Sequence, residues 1–249
     1  MSKAGGGGGG GKRGGGGRTP AGMAGAAPTG VSTLAIDRSD EVDMKNLPLP
    51  NEGKGVYTAG PQAQQLPKKQ QESILAYSGG QVKGGERFAG INAEKLNKVL
   101  YDKGGANYIK MSDPDKYKRM MDFKAELNSS LSNAAKYQGE TYRVVGNYDA
   151  GKAVGRQGLA ERFKAGEVAH FDEFISSAHS AESVFSYKSA SSAQMRFKIT
   201  GKSGVNIERV STYGSAETEV LFGSGKNFMV TSKKWNTVRQ NWDISMTEI

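Results

Sequence analysis

The hydrophobic residues that follow position 70 recur at the spacing of α-helices. A short apolar stretch predicts a first helix over residues 71–77, which ends at a Ser-Gly-Gly sequence. Asn92 predicts the N-cap of a second helix, and Gly104-Gly105 predicts its end. Asp113 and the proline that follows it predict the start of a third helix, which continues towards Gly139.

Beyond Gly139 the hydrophobic period shortens to two, which is typical of strands. Met195, Phe197 and Ile199 alternate with basic residues, as in a strand with one buried face. The other predicted strands cover residues 141–145, 171–177, 217–222, 227–231 and 235–249. Gly223-Ser224-Gly225 predicts a hairpin turn between two of them. Because helices come first and strands later, the order predicts an α+β fold.

The N-terminal part of the chain has a different composition. Residues 1–30 hold two unbroken glycine runs and basic side chains, and no acid appears before Asp37. Such a segment cannot bury enough apolar surface to offset the entropy of ordering, so we predict a disordered tail. Residues 31–67 are punctuated by prolines and are predicted to be a linker. The sequence therefore predicts an extension over 1–67 and a folded domain over 68–249.

Composition excludes several kinds of site. The chain has no cysteine and two histidines, so we expect no disulfide, no thiolate or histidine-rich metal site and no cysteine nucleophile. We also find neither the apolar run of a membrane-spanning helix nor a cleaved signal peptide. The net charge of +9 favours acidic partners, nucleic acid among them, although solubility and a basic tail are the better explanation of this charge. Nothing in the sequence resembles a helix or an aromatic strand that reads nucleic acid.

Three separated motifs carry candidate chemistry. Arg143 lies on the first predicted strand, Ser176 follows later, and Glu217 and Glu219 flank Thr218 on a late strand. Taken singly, these are typical of an exposed strand arginine, a strand-end hydroxyl and an edge strand protected by charge. His179, close to Ser176, also suggests a serine–histidine pair. However, no acid stands at triad spacing and no nucleophile-elbow glycines surround the serine.

In this order, the motifs resemble the arginine-specific branch of the mono-ADP-ribosyltransferase family, the Arg-Ser-Glu class. Residues 219–222, followed by 228–230, are similar to the family's catalytic strand and its hairpin partner. Residues 75–78 and 90–92 are similar to its entry helix and the start of the next one. The resemblance spans about residues 70–249. It implies a split β-sheet core that binds NAD+ in a cleft between two antiparallel sheets, with the helical segment 70–138 as one wall.

The resemblance also implies a role for each motif residue. Arg143 would hold the NAD+ pyrophosphate, because a guanidinium offers paired donors to phosphate oxygens. Glu219 would stabilise the positive charge that develops on the ribose, and Ser176 would orient Glu219. Glu217 would hold the acceptor arginine and accept its proton. On an extended segment Glu217 and Glu219 would share a face. NAD+ is thus expected as the co-substrate, without a metal ion.

Two residues depart from the family's pattern, and one further residue is singled out. Ala178 replaces the third hydroxyl of the usual Ser-Thr-Ser, a position that mainly supports the strand. Val144 follows the arginine where a small residue is usual. The stretch 203–216 resembles the family's target-recognition loop, in which Tyr213 is the aromatic residue expected to contact the substrate.

The chain further resembles effector toxins of bacterial type VI secretion, which are injected without a cleaved signal and act in the cytoplasm of the target cell. The expected partners are NAD+, a target protein with an accessible arginine, a cognate immunity protein and a component of the secretion apparatus. We expect no membrane partner. Three alternatives stay open: a transferase that modifies nucleic acid, a phage enzyme that modifies host proteins, and a non-enzymatic binding module with a basic tail.

Overall fold

A computed structural model describes residues 55–80, 82, 88–145, 161–185, 195–214, 218–239 and 241–249. Its helices are α1 (Lys68–Tyr77), α2 (Ala93–Tyr101), α3 (Lys103–Ser112), α4 (Pro114–Asn133) and α5 (Ala181–Phe185). Its strands are β1 (Val56–Tyr57), β2 (Tyr137–Val145), β3 (Val168–Phe171), β4 (Ile175–Ala178), β5 (Met195–Asn206), β6 (Glu219–Phe222), β7 (Lys226–Asn236) and β8 (Asn241–Glu248). The glycine-rich tail lies outside the described residues, so its disorder stays a prediction.

The strands form a sheet that splits at β5. Six strands pair in the order β1–β2–β5–β8–β7–β3, with a parallel pairing between β5 and β8. The other two, β4 and β6, pair with each other and connect the end of β2 to the far end of β5. Helices followed by a split sheet confirm the predicted α+β class and the predicted core.

Two hydrophobic cores lie on opposite faces of β6. Leu221 joins the core that the helices form with Phe174 and Ile207, whereas Val220 and Phe222 join the core of the sheet. All four residues of β6 are therefore buried, as expected for a strand in a middle layer. Because successive side chains of a strand point to opposite faces, Glu219 lies on the same face of β6 as Leu221.

Side-chain caps start the predicted helices. Asn92 accepts a hydrogen bond from the backbone N–H of Lys95 at 3.0 Å, and Asp113 accepts one from that of Lys116 at 3.0 Å. The predicted stop at Gly104-Gly105 is wrong, because both glycines lie in the first turn of α3. Asp102 caps α3 by accepting from the N–H of Gly105 at 2.9 Å. Although Ala106 and Ile109 pack against the helical core, no residue of α3 is fully buried, and the two glycines in its first turn disfavour a helix in the sequence.

The predicted hairpin around Gly223-Ser224-Gly225 is also wrong. β6 pairs with β4 and β5, and β7 pairs with β8 and β3, so this turn connects the two parts of the sheet. Asn128 on α4 holds the turn by accepting from the N–H of Ser224 at 3.1 Å and donating to its Oγ at 2.8 Å. The predicted strand over 171–177 is divided into β3 and β4, and Trp235 belongs to β7 and not to the final strand.

The folded part begins before the predicted boundary at residue 68. Val56 and Tyr57 pair with β2, and Tyr57 meets the ring of Tyr137 edge-on at 5.5 Å. Ala63 and Leu66 are buried in the helical core. The prediction of a linker up to residue 67 is therefore wrong for residues 55–66, which pack on both the sheet and the helices.

Candidate active site

Glu219 lies at the start of β6, where two hydroxyl groups meet its carboxylate. Ser176 Oγ donates to Oε1 at 2.6 Å, and Ser211 Oγ donates to Oε2 at 3.2 Å. Ser176 comes from the adjacent strand β4, whose register places Ala178 opposite Glu219. Both carboxylate oxygens are therefore held by donors that the fold positions in advance.

Arg143 reaches the same point from β2. Its Nη1 donates to the backbone carbonyl of Ser176 at 2.6 Å, so the guanidinium lies beside the residue that holds Glu219. A guanidinium carries five N–H donors, and this bond uses one of them. The structure thus brings Arg143, Ser176 and Glu219 together, and their assigned roles stay predictions.

Burial and hydrogen bonding oppose each other at Glu219. Burial raises the pKa of the Glu219 carboxyl above its ordinary value, and this is the largest effect. The hydroxyls of Ser176 and Ser211 and the charge of Arg143 lower it, but the net direction is upward. A carboxylate that is buried yet held by donors suits the stabilisation of positive charge in a site shielded from water.

These residues line an open cleft of about 240 Å³. Tyr142, Arg143 and Val144 contribute from β2, and Ser176 to Ala178 contribute from β4. Ser183 and Val184 on α5 and Glu219 complete the lining. Val144 and Ala178, the two residues that depart from the family's pattern, thus both border the cleft. The cleft lies at the ends of β2, β4 and β6.

Asn97 connects the helical wall to the backbone just before β4. Asn97 on α2 accepts from the N–H of Phe174 at 3.0 Å and donates to the carbonyl of Phe174 at 3.2 Å. Its Nδ2 also donates to the hydroxyl of Tyr77 at 3.0 Å, and the Tyr77 ring lies 5.4 Å from that of Phe174. The sequence did not single out Asn97 or Ser211, because each acts through segments that are distant in the chain.

The backbone at Thr218, between the predicted pair of glutamates, is not extended. Thr218 has a φ of 45°, which lies in the left-handed region that non-glycine residues rarely adopt. The expectation that residues 217 and 219 share a face of an extended strand is therefore wrong at Thr218. Glu217 itself lies outside the described residues, so its contact with an acceptor stays a prediction. Tyr213, the predicted contact in the preceding loop, is 58% exposed.

His179 pairs with an acid and not with Ser176. Its Nε2 lies 3.5 Å from Glu208 Oε2, and both side chains are buried. The backbone N–H of Glu208 donates to Asn206 at 3.0 Å, and Asn206 donates to the hydroxyl of Tyr57 at 3.1 Å. Since the Ser176 hydroxyl donates to Glu219, it has no histidine base in this arrangement, which disfavours a serine hydrolase.

Neither a metal-binding cluster nor a membrane-spanning helix is present among the described residues. In this part of the chain, no group of three or more histidine, cysteine, aspartate or glutamate side chains could hold a metal ion. Likewise, none of the described helices is long and apolar enough to cross a membrane.

Solved structures of bacterial toxins have the same arrangement of helices and split sheet. The Vis toxin, an ADP-ribosyltransferase from Vibrio splendidus, matches with a TM-score of 0.53 and 16% identity over 75% of this chain and 76% of its own. Plx2a, an ADP-ribosyltransferase toxin from Paenibacillus larvae, matches with a TM-score of 0.53 and 13% identity over 74% of this chain and 87% of its own. The fold is that of the ADP-ribosyltransferases.

A third neighbour with the ADP-ribosyltransferase fold is the C3 exoenzyme of Clostridium limosum. It has a TM-score of 0.50 and 16% identity over 74% of this chain and 86% of its own. No protein-family model and no curated protein sequence matches the chain. At identities this low the likeness establishes the ADP-ribosyltransferase fold, and the activity has to be argued from the site.

Proposed function

We propose that this protein transfers ADP-ribose from NAD+ to an arginine side chain of a target protein and releases nicotinamide. The observation that carries the proposal is the connected group of Arg143, Ser176 and Glu219 at the cleft of an ADP-ribosyltransferase fold. The guanidinium comes from β2, the hydroxyl from β4 and the carboxylate from β6. The three residues follow one another along the chain in the order that the resemblance implies, and the fold brings them together.

The residues of the cleft fit NAD+ by their chemistry. Arg143 supplies a planar set of donors for the pyrophosphate oxygens. Glu219 supplies a fixed negative charge for the ribose, on which positive charge develops as the bond to nicotinamide breaks. Ser176 and Ser211 hold the two oxygens of Glu219, so the carboxylate needs no reorganisation during the reaction.

The proposal that the acceptor is an arginine rests on Glu217 and on one of the neighbours. A Vis structure was determined in complex with agmatine, which ends in a guanidinium group. In this family, a glutamate at the position of Glu217 goes with arginine acceptors. Glu217 would accept the proton that the guanidinium loses as its nitrogen bonds to the anomeric carbon and nicotinamide leaves as a neutral molecule.

Glu219→Gln tests the chemistry directly. We expect the variant to lose at least about 10²-fold in the rate of ADP-ribose transfer from labelled NAD+ to agmatine, the loss typical when a preorganised electrostatic group is removed. Glu94→Gln, an exposed glutamate on α2, is the matched control and should keep the native rate. Transfer by Glu219→Gln at the native rate would show that Glu219 is not the catalytic carboxylate.

The stability of this variant separates chemistry from folding. The folded-state pKa of Glu219 lies above its ordinary value, so the ionised carboxylate costs folding free energy at neutral pH. Glu219→Gln should therefore unfold at an equal or higher Tm than the native protein near pH 7.

Glu217→Ala tests the role proposed for the second glutamate. This variant should lose transfer to agmatine but keep hydrolysis of NAD+. An equal loss of both activities would contradict the separate role of Glu217.

We further propose that the protein is an injected bacterial effector with a cognate immunity protein. The support is the resemblance of the sequence to type VI secretion toxins, together with the fold that the chain shares with other bacterial toxins. Expression of the native protein in a bacterial cytoplasm should stop growth, whereas expression of Glu219→Gln should not. Equal toxicity of the two proteins would contradict a toxic activity based on this site.

A further inference from the structure

A buried histidine and a buried glutamate meet at the base of the loop that joins β5 to β6. His179 directly follows β4, and Glu208 lies two residues beyond the end of β5. Nε2 of His179 lies 3.5 Å from Oε2 of Glu208, and the two side chains are 2% and 6% exposed. Apolar side chains of similar size usually stabilise a fold at least as well as a buried pair of this kind. A requirement for a defined geometry explains the pair better than a contribution to stability does.

His179 connects the two ends of this loop. Its side chain meets Glu208 at the start of the loop, and its backbone N–H donates to the carbonyl of Thr218 at the end, at 3.1 Å. The N–H of Ile207 donates to the carbonyl of Glu219 at 2.9 Å. The two ends of the loop are therefore held together beside the start of β6.

Two tyrosines and an asparagine surround the pair. The ring of Tyr137 lies 5.9 Å from that of His179, and Tyr57 packs on Tyr137. Asn206 accepts from the N–H of Glu208 at 3.0 Å and donates to the Tyr57 hydroxyl at 3.1 Å. Burial raises the pKa of Tyr57, the hydrogen bond from Asn206 lowers it, and the charge of Glu208 raises it further. In such surroundings the attraction between the two members of the pair is stronger than at the surface.

Glu208 is the polar contact that orients the imidazole. Nδ1 of His179 is buried and has no hydrogen-bond partner within the described part of the chain. In a neutral imidazole one nitrogen donates and the other accepts, so donation from Nε2 to Glu208 makes Nδ1 the acceptor. Loss of the Glu208 carboxylate would leave both ring nitrogens without this contact.

The same loop carries a residue of the candidate active site. Ser211 lies three residues after Glu208, and its Oγ donates to Oε2 of Glu219 at 3.2 Å. The N–H groups of Val210 and Ser211 both donate to the carbonyl of Ile207 at 2.8 Å. This turn fixes the position of Ser211 relative to the base of the loop, so a displacement of Glu208 would displace the Ser211 hydroxyl.

We propose that His179 and Glu208, the loop-base pair, are positioning residues for the transfer of ADP-ribose. They hold the loop so that Ser211 keeps its hydrogen bond to Glu219. This inference rests on the proposed function and adds to it a requirement outside the cleft. Both side chains are buried away from the described lining of the cleft, so the pair would act on the reaction through Ser211 and not through NAD+.

Glu208→Ala and Glu208→Gln form a matched pair of variants. Alanine removes the partner of His179, so kcat for transfer to agmatine should fall about two- to tenfold, the range that corresponds to one net hydrogen bond. The KM for NAD+ should not change, because Arg143 keeps its place. Glutamine has the same length and can still bond to Nε2, so it should restore most of kcat. A native kcat for Glu208→Ala, or no recovery with Glu208→Gln, would overturn the proposal.

Two double variants separate positioning from stability. In a Ser211→Ala background, Glu208→Ala should lower kcat much less than in the native background, because the donor that the pair holds is already gone. His179→Phe/Glu208→Leu keeps the volume without the pair, so its Tm should equal or exceed the native value while kcat falls. Glu94→Ala, at an exposed site on α2, is the control and should keep the native kcat. Additive effects with Ser211→Ala, or a kcat that falls only together with Tm, would overturn the proposal.

Hydrogen exchange tests the loop without catalysis. In Glu208→Ala the amides of His179 and Ile207 should exchange faster than in the native protein, whereas the amide of Val230 on β7, which donates to Glu167, should not change. The measurement stays decisive if agmatine is not modified, a result that would refute the proposed function but not the hold on the loop. Unchanged exchange at His179 and Ile207, or equal acceleration at Val230, would overturn the inference.

Discussion

At the scale of single residues, the role proposed for Glu219 depends on how strongly its neighbours counteract the effect of burial on its pKa. The carboxyl is almost completely buried, and burial raises its pKa. The hydroxyls of Ser176 and Ser211 and the charge of Arg143 lower the pKa and keep the ionised form accessible. In the proposed reaction the charged form stabilises a cationic ribose, so we expect the activity to fall as the pH drops through the folded-state pKa of Glu219.

Ser211→Ala should therefore move the acid limb of the kcat profile to higher pH. The change removes one of the donors that lower the pKa of Glu219, so the carboxyl protonates at a higher pH than in the native enzyme. The profile is measured with agmatine and saturating NAD+. Ser132→Ala, at an exposed site on α4, is the control and should leave the limb in place. An unmoved limb, or a shift to lower pH, would contradict the role assigned to Ser211.

At this site, the sequence predicts single residues better than it predicts the contacts between them. Arg143, Ser176 and Glu219 are recognisable by their order along the chain, and the fold brings them together. Ser211 has no such signature, since a serine in a loop gains its role only when the loop folds back on β6. The backbone at Thr218 could not be predicted either, because a threonine does not favour a positive φ and surrounding contacts must impose it.

At the scale of elements, local sequence signals determine where helices begin, whereas tertiary contacts determine how strands pair. Asn92 and Asp113 identify helix starts, because a cap involves only the nearest backbone groups. Pairing of strands is different. The glycine-rich turn after β6 looks like a hairpin in the sequence, yet Asn128 on α4 anchors it as a connection between the two parts of the sheet. The sequence predicts the helix that carries Asn128, but it does not show that this helix lies beside the turn.

The attachment of α2 to β4 gives a prediction at this scale. Asn97→Ala leaves the N–H and carbonyl of Phe174 without their partner, which should lower the free energy of unfolding by about 1–3 kcal/mol. It should also reduce kcat, because Phe174 precedes Ser176 by two residues. Urea denaturation and transfer to agmatine measure the two effects. Asn97→Asp keeps the acceptor for the Phe174 N–H and should lie between native and alanine, and an alanine variant with native stability would contradict the attachment.

At the scale of the whole molecule, the segment before α1 belongs to the folded domain. β1 pairs with β2, while Leu66 fills the helical core, so the segment joins parts that lie on both sides of β6. The sequence suggests a linker here because prolines and few aromatic residues dominate the local composition. Burial of Ala63 and Leu66 depends on a core built by helices that come later in the chain, which the local pattern cannot convey.

Truncation measures the contribution of this segment. A protein that begins at residue 68 should be less stable than one that begins at residue 55 by at least about 2 kcal/mol, the usual cost of removing a large buried side chain. Urea denaturation of the two proteins gives the difference directly, and the full chain provides the reference. Equal stability of the two truncated proteins would show that residues 55–67 do not stabilise the domain and act as a linker.

The position of β8 has a consequence for how the protein is made. β8 follows β7 in the sequence but lies between β7 and β5, and it supplies the parallel partner of β5. Arg143 lies opposite Phe197, which lies beside Ile244. β2, which carries Arg143, therefore has the complete sheet beside it only after synthesis has passed Ile244. A nascent chain that has not reached Ile244 therefore contains every residue that lines the cleft but lacks the strand that joins β5 to β7, so we expect the cleft to become rigid only when β8 closes the sheet.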